Sequence, residues 1–479
     1  MTISAALANA ASGLAAISRS TEVISSNVAN ATTPGYGRRA VNLTNLSGGG
    51  VQVASIDRMV SAFVLADHRN ASAGLARADT LSAHYGAMED ALGIGREGEA
   101  LTEKLSAFEA ALLGATSRPD SPLHLEAATD ALKQFVGSIN RAAEAVADAR
   151  SSADSAIARD VETLNRALAD IAQLNRSIIV EQANNRDAAS LIDERQRTID
   201  SIAPIVALRE TQRDNGRIAL FTEGGAVLLD GDTPVNLSFA PAGRLAPEMQ
   251  VGTPPVSRLM IDGEELSPLL MTQFGGGRLE ANFEIRDEAA PLLQQRLDSL
   301  AFELGDRFSD AALDPSLGPG MPGLFTDAGA MVDPNNQLGL ANRLAVNTAL
   351  LQPNAAWRLR DGLGAATPGL EGDATLLTAL SQRLADTRSQ TLSGFPPGSR
   401  NVAGLIAELG ARASTDRVAA QITSARENAR KTSLLDTLLS EGVDTDAEMQ
   451  RLLELEQAYA ANARVIAAAD AMIGRLLEI

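Results

Sequence analysis

The side chains that could perform chemistry are few and lie far apart in the sequence. His68, His84 and His124 have no histidine four positions away, so none belongs to the pair of ligands that a helix can present to a metal. We interpret them as solvated or core-edge histidines. Glu264-Glu265 follows a predicted hairpin turn, and the segment from Asp327 to Asp333 lacks the alternating ligands of a calcium loop. Both are interpreted as surface charge, and no metal site is predicted.

Nucleotide binding and covalent catalysis are not indicated either. Gly48-Gly49-Gly50 and Gly275-Gly276-Gly277 are not followed by Lys-Ser or Lys-Thr and lack the spacing of a dinucleotide site, so both are predicted to be turns. No serine lies in a nucleophile elbow. The lack of cysteine excludes disulfides, thiol catalysis and thiolate ligands. We therefore expect no catalytic residue and no cofactor.

Composition favours long helices. The 479 residues are 45% hydrophobic but only 3% aromatic, so the core must be built from Ala, Leu, Ile and Val, as in helical bundles. The net charge of −19 argues against nucleic-acid binding, which needs clustered Lys and Arg. No membrane span and no cleaved signal peptide are predicted, since the early apolar residues are spaced on one helical face and the first basic residue is Arg19. A protein exported without cleavage would begin in the same way.

The segment from Tyr36 to Arg39 places one aromatic residue beside two cations. In one interpretation Tyr36 packs on the first helix and the arginines are solvated. In the other, Tyr36 and Arg38 anchor a neighbouring subunit. Residue type alone leaves both open.

The elements that must position this segment are helices at the two ends of the chain. Each end has apolar residues at alternating steps of four and three, the spacing of a coiled-coil seam. The N-terminal seam is Ile3, Leu7, Ala10, Leu14, Ile17, Thr21, Ile24 and Val28, and the C-terminal seam is Leu452, Leu455, Tyr459, Asn462, Ile466, Ala469, Ile473 and Leu476. The first helix should stop near Ala31, because Thr33 precedes a proline and Pro34-Gly35 suits a type II turn.

Between the two seams, the spacing of the apolar residues changes from helical to strand-like and back again. After an irregular segment and a short strand over Val51 to Ile56, helical spacing extends from Met59 to Ile202, with breaks at Gly93 to Gly98 and Pro119 to Pro122. Period-two alternation and the turns Asn215-Gly216, Asp230-Gly231 and Asp262-Gly263 then predict antiparallel strands. Helical spacing returns from Leu293, at Leu376 to Leu384 and from Val402, with a last break at Gly442.

We therefore predict a mainly α, elongated, multi-domain chain with a β insertion, in which the terminal helices pair as a coiled coil beside a bundle of long helices and a small antiparallel β domain. The predicted parts are 1–48 with 442–479 as the terminal coiled-coil assembly domain, 49–204 with 286–313 and 400–441 as the helical bundle, 205–285 as the β domain, and 314–399 as a loop-rich outer segment with one short helix.

Short motifs at the ends and in the middle resemble those of a known family. Ser25 to Tyr36 resembles the N-terminal signature of bacterial flagellar rod, hook and hook-associated proteins, and Gln457 to Ile466 is similar to their C-terminal signature. The central motifs resemble the family of flagellar hook-associated protein 1 (FlgK): Leu174 to Ile178, Asp193 to Gln196, Gly216 to Ile218, Leu228 to Gly231, Phe274 to Leu279, Arg286-Asp287, Leu297 to Ala301 and Glu441 to Asp444.

This resemblance implies a structural, non-enzymatic subunit of the flagellum at the hook-filament junction, exported unfolded through the flagellar type III route. The implied partners are the hook protein, the second hook-filament junction protein, further copies of the chain in a ring or helical lattice, and an export chaperone on the helix from about 440 to 479. The assembly interface is expected to comprise Ile3, Leu7, Leu14, Ile17, Ile24, Val28, Asn30, Pro34, Gly35, Tyr36, Arg38, Leu452, Leu455, Tyr459, Asn462, Ile466, Ile473 and Leu476.

Two alternatives remain open from the sequence. A hook or rod protein of the same group shares the terminal signatures, but it would be expected to have mostly β structure between the seams. A periplasmic coiled-coil adaptor shares long helices with inserted strands, but it should have a signal peptide or a lipid anchor.

Overall fold

The computed structural model describes residues 2–33, 35–184 and 186–477, with the side chains of Gln390, Leu476 and Leu477 excepted. The helices are α1 (Ile3–Ala29), α2 (Ala62–Ala91), α3 (Leu101–Ser117), α4 (Pro122–Ala183), α5 (Ala189–Ile202), α6 (Pro268–Met271), α7 (Arg278–Glu284), α8 (Ala290–Arg307), α9 (Leu340–Arg343), α10 (Arg358–Asp361), α11 (Thr375–Ala385), α12 (Val402–Ser440) and α13 (Thr445–Leu477). The mainly α fold class is confirmed.

The strands are short and antiparallel, and they form small separate sheets. They are β1 (Arg38–Asn45), β2 (Val51–Met59), β3 (Leu208–Gln212), β4 (Ile218–Thr222), β5 (Val227–Asp230), β6 (Thr233–Pro234), β7 (Leu237–Ser238), β8 (Met260–Ile261), β9 (Glu264–Glu265), β10 (Phe325–Asp327), β11 (Leu344–Val346), β12 (Arg388–Gln390) and β13 (Gly398–Arg400). The sheets are β1-β2, β3-β4-β5-β6, β7-β8-β9, β10-β11 and β12-β13.

Local sequence explains where the long helices begin and end. Thr2 caps α1 by accepting a hydrogen bond from Ala5 N at 3.3 Å, Asn401 caps α12 through Gly404 N at 2.8 Å, and Asp444 caps α13 through Asp446 N at 3.0 Å. The predicted breaks at Gly93 to Gly98, Pro119 to Pro122 and Gly442 are confirmed. Most of the helical spacing predicted after the break at Pro119 to Pro122 lies on one 62-residue helix, α4, which is about 93 Å long.

Two hydrophobic clusters pack against the two halves of α4. The first half contributes to a core with α3, α8, α11 and α12, and residues from Leu313 to Leu363 belong to the same core. The second half packs with α5, α7 and the strands from β3 to β7. The segment 314–399 therefore buries apolar side chains in the main core, and its predicted short helix is confirmed as α11.

The β turns follow the predicted chemistry. Asn215 and Gly216 both have positive φ, 58° and 72°, and connect β3 to β4, while Asp262-Gly263 connects β8 to β9. The expected irregular segment before Gly48 is wrong, because Arg38 to Asn45 form β1 and pair with β2. In β1 the apolar alternation is confined to Val41 and Leu43, and the strand is supported by β2 and by packing on α1.

Candidate assembly interface

The two terminal helices pack against each other in antiparallel orientation. Gly13 of α1 lies against Asn462 of α13, where a Cβ on the glycine would be 3.2 Å from the asparagine amide. Farther along, Asn27 of α1 meets Glu448 in the first turns of α13. The predicted pairing of the two ends is therefore present within a single chain.

The seam positions are covered unequally. On α1, Ala10 and Ile24 are buried, whereas Ile3, Leu7, Leu14, Ile17 and Val28 are half-buried. On α13, Ala469 is buried and Leu452, Leu455, Asn462 and Ile466 are half-buried. Tyr459 and Ile473 are exposed, by 51% and 37%, so the pair leaves apolar surface uncovered. Pro34 and the side chain of Leu476 lie outside the described residues.

The more deeply buried helix is α1 because it has two neighbours. One side packs on α13, and the β1-β2 hairpin packs on another, with Val51 N donating to Ser12 Oγ at 3.2 Å. Beside the pair, Ile17, Thr21, Leu455 and Tyr459 line an open groove of about 600 Å³.

A cluster of polar side chains joins the end of α1 to the turn after it and to the start of α13. We call it the terminal clasp and define it as Asn27, Tyr36, Arg38, Arg39, Arg58, Asp193 and Glu448. At its centre is Asn27, which is fully buried and uses both ends of its amide. Its Oδ1 accepts from Tyr36 OH and Arg39 N, both at 2.9 Å, and its Nδ2 donates to Arg39 O at 2.9 Å and to Glu448 Oε2 at 3.2 Å.

The carboxylate of Glu448 is the second anchor. It is 1% exposed and accepts from Arg38 Nε at 2.8 Å and from Arg451 Nη1 at 2.7 Å, in addition to Asn27. Its position in the first turns of α13 also places the negative charge at the positive end of the helix dipole. The carboxylate thus connects residues more than 400 positions apart.

The third anchor is Asp193 on α5. Its carboxylate pairs with Arg39 Nη2 at 3.0 Å and with Arg58 Nε at 2.9 Å. Gly37 makes room for this arrangement, since a Cβ there would lie 2.2 Å from Arg58 Nε. Arg39 also stacks over the Tyr36 ring at 5.1 Å. The clasp therefore ties the chain ends to a helix that packs on α4.

The structure bears on the first interpretation of the Tyr36 to Arg39 segment, and contact of Tyr36 and Arg38 with a neighbouring subunit stays a prediction. Tyr36 packs on the first helix, as the first interpretation expected, but Arg38 and Arg39 form ion pairs within the chain instead of being solvated. The turn at Gly35 has φ 78°, and Tyr36 N donates to Thr33 O at 3.1 Å. Asn30 donates to Ser26 O at 2.9 Å and ends α1.

Sequence reasoning missed Asn27, Asp193 and Glu448 as site residues. Asn27 and Asp193 lie inside motifs that support the family resemblance, and an asparagine inside a helix, where it is a poor helix former, is a usable signal. Nothing local to Glu448 distinguishes it from the other acids in the first turn of α13.

The described residues show neither a metal-binding cluster nor a membrane-spanning helix. Within residues 2–33, 35–184 and 186–477, no group of three or more His, Asp or Glu side chains is placed to hold a metal ion. Over the same ranges, no helix combines the length and apolar character needed to cross a membrane.

Three family models match the chain. The flagellar hook-associated protein FlgK helical domain matches residues 86–313. The flagella basal body rod protein model matches residues 7–36, and the flagellar basal body rod FlgEFG protein C-terminal model matches residues 437–479. The two terminal matches contain most of the paired helices and three of the seven residues of the terminal clasp, Asn27, Tyr36 and Glu448.

Individual relatives agree with these models. Flagellar hook-associated protein 1 of Salmonella typhimurium (strain LT2) is 24% identical over 255 residues, which are 50% of this chain and 45% of the relative, so the match spans less than half of that protein. Flagellar hook-associated protein 1 of Bacillus subtilis (strain 168) is 22% identical over 490 residues, 94% of this chain and 93% of the relative. The solved flagellar hook junction protein FlgK from Burkholderia pseudomallei is 19% identical, with a TM-score of 0.43 over 54% of this chain and 46% of that one.

Proposed function

We propose that the chain is a structural subunit of the flagellar hook-associated protein 1 (FlgK) family, which joins hook to filament through its paired terminal helices. The observation that supports the assembly role most directly is the terminal pair itself. Its two helices are closed on each other at the clasp, yet their apolar side chains remain half-exposed along most of their length. Such a surface is suited to burial by neighbouring subunits.

The uncovered residues of α13 define where partners would bind. Met449, Leu453, Tyr459, Val465 and Met472 are each about half-exposed, between 46% and 56%. In the assembled structure we propose that copies of this chain cover them, with the hook protein on one side of the ring and the second junction protein on the other. Before assembly, the same helix is proposed to bind a cytoplasmic export chaperone, and the chain is proposed to reach the cell exterior by the flagellar type III route.

The test of the assembly role is the double variant Leu455→Asp with Ile466→Asp. Both side chains are half-buried between the terminal helices, so two carboxylates there disrupt the pair and its contacts. We expect no filament growth on existing hooks. The matched control is Gln450→Asp with Gln457→Asp, which adds the same charge at exposed polar positions of α13 and should leave filaments intact. Normal motility of the Leu455→Asp, Ile466→Asp strain would refute the assignment.

The rival assignments are separated by deleting the gene and viewing the cells by electron microscopy. Hooks without filaments support a junction subunit. Missing hooks would instead assign the chain to the hook or rod proteins, whose terminal family models it also matches. Intact flagella would favour the periplasmic adaptor.

A further inference from the structure

A cavity rich in arginine lies between α2, α5 and the β3-β4 hairpin, next to the terminal clasp. Its volume is about 360 Å³, near the lower end of the range of roughly 300–1,000 Å³ for small-molecule pockets. Apolar side chains such as Leu65, Ile199 and Leu208 form its floor. Its charged lining consists of five arginines and one acid: Arg58, Arg69, Arg195, Arg213, Arg217 and Glu210. This excess of cations stands out in a chain with a net charge of −19.

Three of the five arginines are neutralised by carboxylates of the chain. The pairs are Arg58 with Asp193 at 2.9 Å, Arg69 with Asp200 at 2.6 Å and with Glu210 at 2.9 Å, and Arg213 with Asp230 at 3.1 Å. These arginines therefore have structural partners, and the unbalanced charge resides in the remaining two.

Arg195 is the deepest of these two. It is 5% exposed, and its Nη1 donates to Asn175 Oδ1 and to Gly216 O, both at 2.8 Å. Its Nε is buried and has no hydrogen-bond partner among the described residues. Both acceptors are neutral, so the guanidinium is desolvated without a bonded carboxylate, an arrangement that costs free energy unless an anion is bound. Burial also lowers the pKa of Arg195, against the opposing effect of Glu210.

Arg217 is the second unbalanced cation. Its side chain is half-buried, and its Nε donates at 3.4 Å to the backbone oxygen of Asp214 in the same turn. Within the described part of the chain, no carboxylate lies within 4.0 Å of its guanidinium nitrogens. Two arginines without carboxylate partners thus line one small cavity, one on α5 and one on the β3-β4 turn.

We propose that this cavity binds a small multivalent oxyanion, such as phosphate or a tricarboxylate, between Arg195 and Arg217. Arginine is the side chain best suited to this role, because its planar fork donates two parallel hydrogen bonds to carboxylate or phosphate oxygens. The bound anion supplies the negative charge that the Arg195 guanidinium, which lines the cavity, lacks. It also bridges α5 to the β3-β4 turn, and this site does not depend on the flagellar role of the chain.

The experiment uses the full chain and two probes, inorganic phosphate and citrate, each compared with sodium chloride at the same ionic strength. Binding is measured by isothermal titration calorimetry and by the melting temperature, which rises when a ligand binds only the folded state. We expect saturable binding of the probes and none of chloride. Arg195→Gln should weaken it by about tenfold or more, as expected for the loss of a charge-assisted bond. Arg217→Gln, at a half-buried position, should weaken it by a smaller factor.

Arg166→Gln is the matched control, because Arg166 is 69% exposed on α4 and its removal changes the net charge equally. Phosphate and citrate should bind this variant as they bind the unchanged chain. If Arg195→Gln does not fold, Arg217→Gln decides the question. Equal binding in all variants, or an effect that follows ionic strength alone, would overturn the proposal. The proposal would also be overturned if the protein self-associates, phosphate or citrate reverses this association, and neither anion binds the monomer saturably. That result would assign the cavity to a carboxylate of a second copy of the chain.

Discussion

Replacing Glu448 by alanine should release α13 from α1 without unfolding the rest of the chain. The carboxylate is 1% exposed and accepts hydrogen bonds from Arg38, Arg451 and Asn27 at 2.7 to 3.2 Å. Alanine removes all three bonds at once. It leaves the Nδ2 of Asn27 with its remaining bond to Arg39 O, so Asn27 itself is not orphaned.

The free-energy cost of Glu448→Ala depends on how much water reaches Arg38 and Arg451 once the carboxylate is lost. Removing one member of a fully buried ion pair costs about 3–5 kcal/mol because the other charge is left desolvated. Arg38 is 22% exposed and Arg451 is 48% exposed, so both guanidinium groups regain water when the carboxylate is lost. We therefore expect a smaller cost of about 2–3 kcal/mol for closing α13 on α1.

Native-state hydrogen exchange measures this closing directly, because a local opening has its own free energy. A loss of 2–3 kcal/mol corresponds to amide exchange in α13 that is faster by roughly 30- to 140-fold. The amides of α4, which belong to the main cores, should exchange at an unchanged rate. A global unfolding experiment would miss the effect, since the terminal pair contributes little to those cores.

The matched control is Asp446→Ala, which removes an exposed acid from the same first turn of α13. This variant loses a similar favourable interaction with the helix dipole, of about 0.3–1 kcal/mol, but no bond of the terminal clasp. Equal exchange in the two variants would show that the carboxylate of Glu448 acts through the dipole alone. Faster exchange throughout α4 in Glu448→Ala would show that the ends are part of one cooperative unit. Either result refutes the reasoning.

Two further predictions concern the core. His84 is buried in α2, and burial lowers its pKa from 6.5 to about 4, so the folded state stays neutral where the unfolded state binds a proton. The stabilisation that neutral His84 contributes is complete above pH 6.5 and is lost as the pH falls towards 4, by about 2 kcal/mol between pH 7.5 and 5. Urea unfolding of His84→Leu should lack this loss of stability at low pH. An identical dependence of the unfolding free energy on pH in the two proteins would contradict the prediction. Gly277→Ala would place a Cβ 2.3 Å from Ile205 O and should lower the stability measured by thermal unfolding by about 1–3 kcal/mol. In the control Gly86→Ala the added Cβ has no atom within 4 Å, so this variant should be neutral or stabilising. Equal melting temperatures of the two variants would contradict the predicted steric clash.

The long helices and the tight turns could be predicted from the sequence because their causes are local. Glycine and proline breaks, the cap at Asp444 and the turn at Asn215-Gly216 depend on residues a few positions apart. The pairing of α1 with α13 also followed, since each helix has an apolar stripe that needs a partner, but its antiparallel orientation did not. The extent of burial did not follow, because periodicity gives the face of a helix and not how many neighbours cover it.

The terminal clasp could not be predicted because its bonds join distant parts of the chain. Arg38, Glu448 and Asp193 are ordinary charges in the sequence, and only the fold brings them within hydrogen-bond distance. Strand β1 was missed for a related reason. Its apolar alternation is confined to Val41 and Leu43, and the strand is held by pairing with β2 and by contact with α1.

The terminal pair is therefore held unevenly along its length. At the clasp, α13 has a buried carboxylate with three hydrogen bonds, whereas towards its other end Ile473 is exposed and Ala469 is a small buried side chain. Because stabilisation by burial scales with apolar area, the far end of α13 should separate from α1 at a lower free-energy cost than the clasp end. In the proposed assembly, a neighbouring subunit would then cover Tyr459 and Ile473 while Glu448 keeps the helix attached to its own chain.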